Sequence, residues 1–159
     1  MITLVLGGAR SGKSEVAERL AGDGPVTYVA TGVATDEKMA ARIAAHRHRR
    51  PSMWRTVEEG SAALPAVLAD LTGSVLVDSL TTWVALAPAF VADADALCTA
   101  LVKRDGDTVV VSDEVGLGVS PSTQSGNEFR DALGSLNQQV AAAADEVLLV
   151  VAGRTLRLT

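Results

Sequence analysis

Aromatic residues make up only 3% of this 159-residue chain, two Phe, two Trp and one Tyr. The core therefore has to be built from small and branched side chains, chiefly Ala and Val. There is one cysteine, Cys98, which excludes an internal disulfide and any thiolate-only metal site. Positive charge is the minority, with 14 Lys and Arg against 19 Asp and Glu and a net charge of −5. That balance argues against a general nucleic-acid binder. Hydrophobic residues reach 48%, yet no apolar run approaches the roughly 20 residues that span a bilayer. The longest, Val147 to Ala152, has the length of a buried strand. The N-terminus opens directly into a strand pattern without a basic region or cleavable apolar segment. A cytoplasmic domain with neither nucleic acid nor membrane as partner is expected.

What is present is an alternation of strand and helix signals. Strands are expected at Ile2 to Leu6, Val26 to Ala30, Trp54 to Glu58, Ser74 to Val77, Thr108 to Ser112, Glu146 to Ala152 and Thr155 to Leu158, the last two as a hairpin around Gly153. Helical spacing marks Ser14 to Ala21, Asp36 to about Arg49, Ala62 to Leu71, Asp95 to Lys103 and Asn127 to Ala144. In the last of these, Phe129, Leu133, Leu136 and Val140 share one face. Thr81 to Ala92 has no clear period, and Pro88 denies it a long helix. Seven strands with about five helices predict a single domain over 1–159, a three-layer α/β/α fold with a mostly parallel sheet. Cys98 is expected to be a free buried thiol.

Gly7-Gly8-Ala9-Arg10-Ser11-Gly12-Lys13-Ser14 matches the Walker A pattern, with a strand before it and a helix after it. Glycines let the backbone wrap a phosphate, the helix N-terminus adds about half a positive charge, and Lys13 adds a full one. Ser14 offers a hydroxyl where Mg²⁺ bridging two phosphates needs a ligand. Val75-Leu76-Val77-Asp78 is a Walker B candidate, a buried strand delivering a carboxylate to the sheet edge where the P-loop opens. Asp78 would orient Mg²⁺ through water or hold the ribose.

Both histidines of the chain fall in one basic tract, with Arg42, His46, Arg47, His48, Arg49 and Arg50. A solvated basic face near a helix end is the plain reading of such a run. The sharper one is a phosphate-handling tract, because arginine forks match phosphate oxygens bidentately. A neutral imidazole there could attack phosphorus, and cationic neighbours favour the neutral form. A zinc site is not expected, since positions two apart on a helix diverge. Ser112 to Val119 runs a strand into the acidic pair Asp113-Glu114 and a glycine-rich loop, where ligands bind in such sheets.

With these pieces in order, the chain resembles the bifunctional adenosylcobinamide kinase / adenosylcobinamide-phosphate guanylyltransferase family of cobalamin biosynthesis. The likeness runs through the P-loop, Tyr28 to Thr31, Asp36 to Met39, Arg42-Ile43, His46, Arg50-Pro51, Trp54 to Glu58, Val77 to Thr81, Glu114 to Gly118, Phe129-Arg130-Asp131, Gly134, Asn137-Gln138 and Ala144 to Val147. It implies a transferase that phosphorylates adenosylcobinamide with ATP or GTP. It also implies guanylyl transfer from GTP onto adenosylcobinamide phosphate through a guanylyl-histidine. The matching histidine is His46, with Lys13 as the second catalytic residue. Nucleotide contacts are implied at Gly7 to Ser14, Thr31, Gly32, Val33, Arg47, His48, Arg49, Arg50, Glu58 and Asp78, with Mg²⁺ on Ser14 and Asp78. A RecA-like fold and a homotrimer are implied as well. The chain departs from the family pattern at Ser79, Ser120-Pro121 and Gly126-Asn127-Glu128. The alternatives are a P-loop kinase of another small hydroxylated substrate, a degenerate GTP-binding member, or a RecA-like module that moves DNA or a partner.

Overall fold

The computed structural model describes residues 1–32 and 50–158. Its sheet has seven strands in the order β3-β2-β4-β5-β1-β6-β7. They are β1 (Ile2–Gly7), β2 (Val26–Ala30), β3 (Arg55–Glu58), β4 (Ser74–Asp78), β5 (Thr108–Asp113), β6 (Glu146–Val151) and β7 (Arg154–Arg157). All neighbours are parallel except β6 and β7, which form the expected antiparallel hairpin. β5 lies between β1 and β4, so the P-loop strand and the strand ending in Asp78 are not neighbours. The five helices among the described residues are α1 (Lys13–Ala21), α2 (Leu64–Asp70), α3 (Leu80–Leu86), α4 (Ala94–Lys103) and α5 (Gln124–Ala143).

The apolar strands are buried on both faces, as a parallel sheet requires. Alternation along each strand sorts them into two cores. Leu4, Leu6, Val29, Val75, Val77 and Val110 face α2 to α5, which contribute Leu64, Leu68, Leu80, Trp83, Leu97, Leu101, Leu133, Leu136 and Val140. Val5, Tyr28, Leu76, Val109, Val111 and Val150 face α1 through Val16 and Ala17. Three layers follow, as the sequence predicts. The helix expected from Asp36 to Arg49 lies outside the described residues.

Several boundaries move for local reasons. α5 starts at Gln124 rather than Asn127 because Thr123 caps it, its hydroxyl accepting from Gly126 N at 3.1 Å. Asp93 caps α4 in the same way through Ala96 N at 2.8 Å. α2 is shorter than expected and takes Pro65 into its first turn, where the missing N–H costs nothing. The ambiguous stretch resolves into α3, then a 3-10 turn at Pro88–Phe90. Cys98 is half-buried rather than fully so. Arg104, 8% exposed, is a staple at the amino ends of β4 and β5. It donates to the carbonyls of Gly73 (2.7 Å), Gly106 and Asp107.

Candidate functional site

The parallel strands put their C-terminal ends on one edge, and the loops there carry the candidate residues. After β1 the chain turns through Arg10 (φ 58°) and Gly12 (φ 93°) before α1 begins at Lys13. Ser11 N donates to Gly8 O at 3.2 Å, closing the turn. A methyl on Gly7 would lie 2.5 Å from Ser11 Oγ and 2.7 Å from Val150 O, so the loop closes only over glycine. The β6–β7 turn supports the loop from outside, Gly153 N donating to Ser11 O at 2.7 Å.

Lys13 reaches across the mouth of this loop. Its Nζ donates to Gly8 O at 3.3 Å and forms an ion pair with Asp113 Oδ1. Asp113 ends β5, in register with Gly7 on β1. Its backbone is fixed from three elements. Asp113 N donates to Thr81 Oγ1 of α3 at 2.8 Å, Asn137 Nδ2 of α5 donates to Asp113 O at 3.1 Å, and the next residue, Glu114, donates its N–H to Gly7 O at 3.1 Å. Asn137 is 6% exposed. The sequence marks the acidic pair but not the partner of Asp113; strand order decides that, by placing β5 beside β1.

A second group gathers across β3, β2 and β4. Ala30 has Glu58 on one side and Asp78 on the other in the strand register. Tyr28 Oη donates to Asp78 Oδ2 at 2.8 Å, and the Arg50 guanidinium lies 3.3 Å from the centre of the Tyr28 ring. Burial first, then the Asp78 carboxylate, pushes the Tyr28 phenol far above its usual range, against the opposing pull of Arg50. Thr31 is buried. Its hydroxyl donates to Ser79 O at 2.6 Å, accepts from Ser79 N at 2.8 Å and meets Thr82 Oγ1. Gly60 packs so closely that a methyl there would lie 2.0 Å from Thr31 O.

Gly7, Gly8, Ala9, Arg10, Ser11, Gly12, Lys13 and Ser14 thus form one turn from the end of β1 into the start of α1. Asp78 ends β4, two strands from β1, while Thr31, Gly32, Arg50 and Glu58 lie farther along the sheet at β2 and β3. Val33, His46, Arg47, His48 and Arg49 lie outside the described residues. Tyr28 and Gly60 carry no site signal of their own in the sequence; only their contacts with Asp78, Arg50 and Thr31 give them one. Among the described residues no three His, Cys, Asp or Glu side chains cluster as a preformed metal site. Mg²⁺ keeps waters and uses one or two carboxylates with substrate phosphates. Ser14, Asp78 and Asp113 supply hard oxygen donors along that edge, so the residues fit a Mg²⁺ carried in with a nucleotide.

The family model described as cobinamide kinase / cobinamide phosphate guanyltransferase matches residues 3–158. The bifunctional adenosylcobalamin biosynthesis protein CobU of Escherichia coli is 41% identical, covering 96% of this chain and 97% of its own length. Its counterpart in Salmonella typhimurium is 39% identical with the same coverage. CobP of Pseudomonas aeruginosa, of the same description, is 42% identical over 96% of this chain and 94% of its own. Among solved structures, the P4 protein of bacteriophage phi6, in complex with ADP, aligns at TM-score 0.47 and 14% identity. It covers 98% of this chain, which spans about half the length of that protein (53%), a likeness too loose to bear on function. The full-length match is a different matter: this chain belongs to the cobinamide kinase / cobinamide phosphate guanyltransferase family.

Proposed function

We propose that this protein is a bifunctional transferase. It phosphorylates adenosylcobinamide with ATP or GTP, then transfers GMP from GTP to adenosylcobinamide phosphate, giving adenosylcobinamide-GDP. The observation that carries the reading is a complete P-loop, with Lys13 turned across its mouth, in a chain that matches this family from residue 3 to 158. The enzyme is cytoplasmic and works as a homotrimer, both on family likeness.

In the guanylyl half, GTP lies with its phosphates in the Gly7 to Ser14 loop. Thr31, Gly32, Val33, Arg47, His48, Arg49, Arg50, Glu58 and Asp78 surround the rest of the nucleotide. His46 attacks the α-phosphorus; a nitrogen–phosphorus bond forms as the bond to pyrophosphate breaks. Lys13 and the arginines take up the charge that develops on the leaving pyrophosphate. A phosphate oxygen of adenosylcobinamide phosphate then displaces His46, which returns as free imidazole. Guanylylated imidazole is cationic and therefore a good leaving group, which is why the transfer gains from two steps. Mg²⁺, held by Ser14 and Asp78, would neutralise charge on the bridging phosphate oxygens when bound.

Separate assays of the two half-reactions test this. Purified protein is expected to make adenosylcobinamide phosphate from adenosylcobinamide and ATP or GTP, and adenosylcobinamide-GDP from adenosylcobinamide phosphate and GTP. Phosphorylation of another small alcohol without guanylyl transfer would replace this reading with a simple kinase. Nucleotide binding with neither turnover would make the chain a degenerate member.

A further inference from the structure

A phosphate cradle works only while its backbone N–H groups face inward, and in this loop the Ser11–Gly12 peptide is free to turn. The peptide is trans, so the Ser11 carbonyl and the Gly12 N–H point in opposite directions. Gly12 sits at φ 93°, and glycine takes positive and negative φ about equally well. Rotation of this one peptide about its flanking bonds would carry the N–H out and the carbonyl oxygen in. An N–H facing bound phosphate is a charge-assisted donor; a carbonyl oxygen in its place repels the anion.

What fixes the orientation comes from outside the loop. Gly153 N, in the turn between β6 and β7, donates to Ser11 O at 2.7 Å. Gly153 Cα lies 3.2 Å from where a methyl on Gly12 would stand, so the two backbones meet face to face. Both central residues of the turn have positive φ, Ala152 at 51° and Gly153 at 73°, as a tight two-residue hairpin requires. Such a turn closes through the residues on either side, which leaves the Gly153 N–H for a partner elsewhere. The hairpin cannot drift from the loop, because Val150 is in register with Gly7 of β1 on one side and with Thr155 of β7 on the other.

We propose that Gly153 is a positioning residue for nucleotide binding. Its N–H holds the Ser11 carbonyl outward and so keeps the Gly12 N–H aimed at the phosphates. The inference rests on the nucleotide-binding part of the proposed function and gives a role to a turn that carries none of the site residues. Coupling between two such contacts is reciprocal. A nucleotide that fixes the Gly12 N–H must therefore tighten the Gly153–Ser11 bond in return. The turn is exposed, so this one bond decides how fast the Gly153 amide exchanges with solvent.

Amide hydrogen exchange of the wild type, with and without Mg²⁺ and α,β-methylene-GTP, which His46 cannot cleave, reads that bond. Exchange at Gly153 is expected to slow by about 10-fold when the analogue is saturating. Calorimetric titration of two variants reads the converse. Gly153→Asn keeps the N–H and tolerates positive φ, and a side chain there meets nothing within 4 Å. Its Kd for the analogue should stay within about 3-fold of the wild type, a change too small for a lost hydrogen bond. Gly153→Pro has no N–H to donate, and its Kd should rise by about 10- to 100-fold. Proline also forbids φ 73° and reshapes the turn, but the exchange measurement is made on the unaltered chain and does not depend on it. An exchange rate that the saturating analogue leaves unchanged, or equal affinity in the Asn and Pro variants, overturns the proposal. A wild type that binds the analogue but turns over neither corrinoid substrate would instead refute the bifunctional reading and leave this role of Gly153 standing.

Discussion

Replacing Tyr28 with Phe isolates one hydroxyl at the point where the sheet core meets the site. The ring that carries Arg50 remains, and what goes is the hydrogen bond from Tyr28 Oη to Asp78 Oδ2 at 2.8 Å. A hydrogen bond to a charged group contributes about 1.5–3 kcal/mol, and because Asp78 is only half-buried the low end, about 1.5 kcal/mol, applies. For a chain of this size that corresponds to a fall in Tm of about 3–6 °C. The effect should depend on pH. The phenol's pKa is raised in the folded protein, so its contribution to stability is complete below the unfolded value of 10.0 and is lost as pH climbs beyond it. At about pH 11 the wild type should have lost on the order of 1 kcal/mol that the Phe variant never had, and the gap between them should narrow. Urea unfolding of both proteins at about pH 8 and about pH 11 measures this. Other titrating groups cancel in the difference, and Tyr28 is the chain's one tyrosine, so tyrosinate absorbance reports it directly. A gap that stays constant over that range, or a Tm change within about 1 °C at neutral pH, refutes the reasoning.

Gly60→Ala would force a methyl to within 2.0 Å of Thr31 O, so it should cost about 1–3 kcal/mol and weaken GTP binding by displacing Thr31 and Gly32. Gly24→Ala, where the methyl meets nothing within 4 Å, is the control, and thermal melts with GTP titrations read both. Asn137→Ala removes the 3.1 Å bond to Asp113 O and should destabilise by about 1–2 kcal/mol. Urea unfolding of wild type and variant measures it, and an unchanged midpoint would mean that the bond contributes nothing.

The P-loop was legible because it combines a local glycine pattern with a strand–helix context, and both are sequence-local. So were the strands, because apolar runs such as Val109 to Val111 suit a sheet buried on both faces. Strand order was not legible, since nothing in the composition of β4 or β5 says which lies beside β1. That is why Asp78 stood out in the sequence as the P-loop's carboxylate, whereas Asp113 meets Lys13 in the fold. Helix starts were displaced wherever a single side chain decides them, as Thr123 does for α5. The roles of Tyr28 and Gly60 rest on contacts to residues 50 or 29 positions away, which no short pattern encodes.

On the proposed function, one P-loop serves phosphoryl transfer and a covalent guanylyl transfer through His46. Intact-mass analysis of the protein after incubation with GTP and Mg²⁺, quenched at alkaline pH to spare a phosphoramidate, tests it most directly. One GMP adduct is expected on the wild type, lost on acid treatment or on adding adenosylcobinamide phosphate, and absent from His46→Ala while kinase activity persists. An adduct that survives in His46→Ala, or guanylyl transfer by the wild type with no adduct forming at any time, would contradict it.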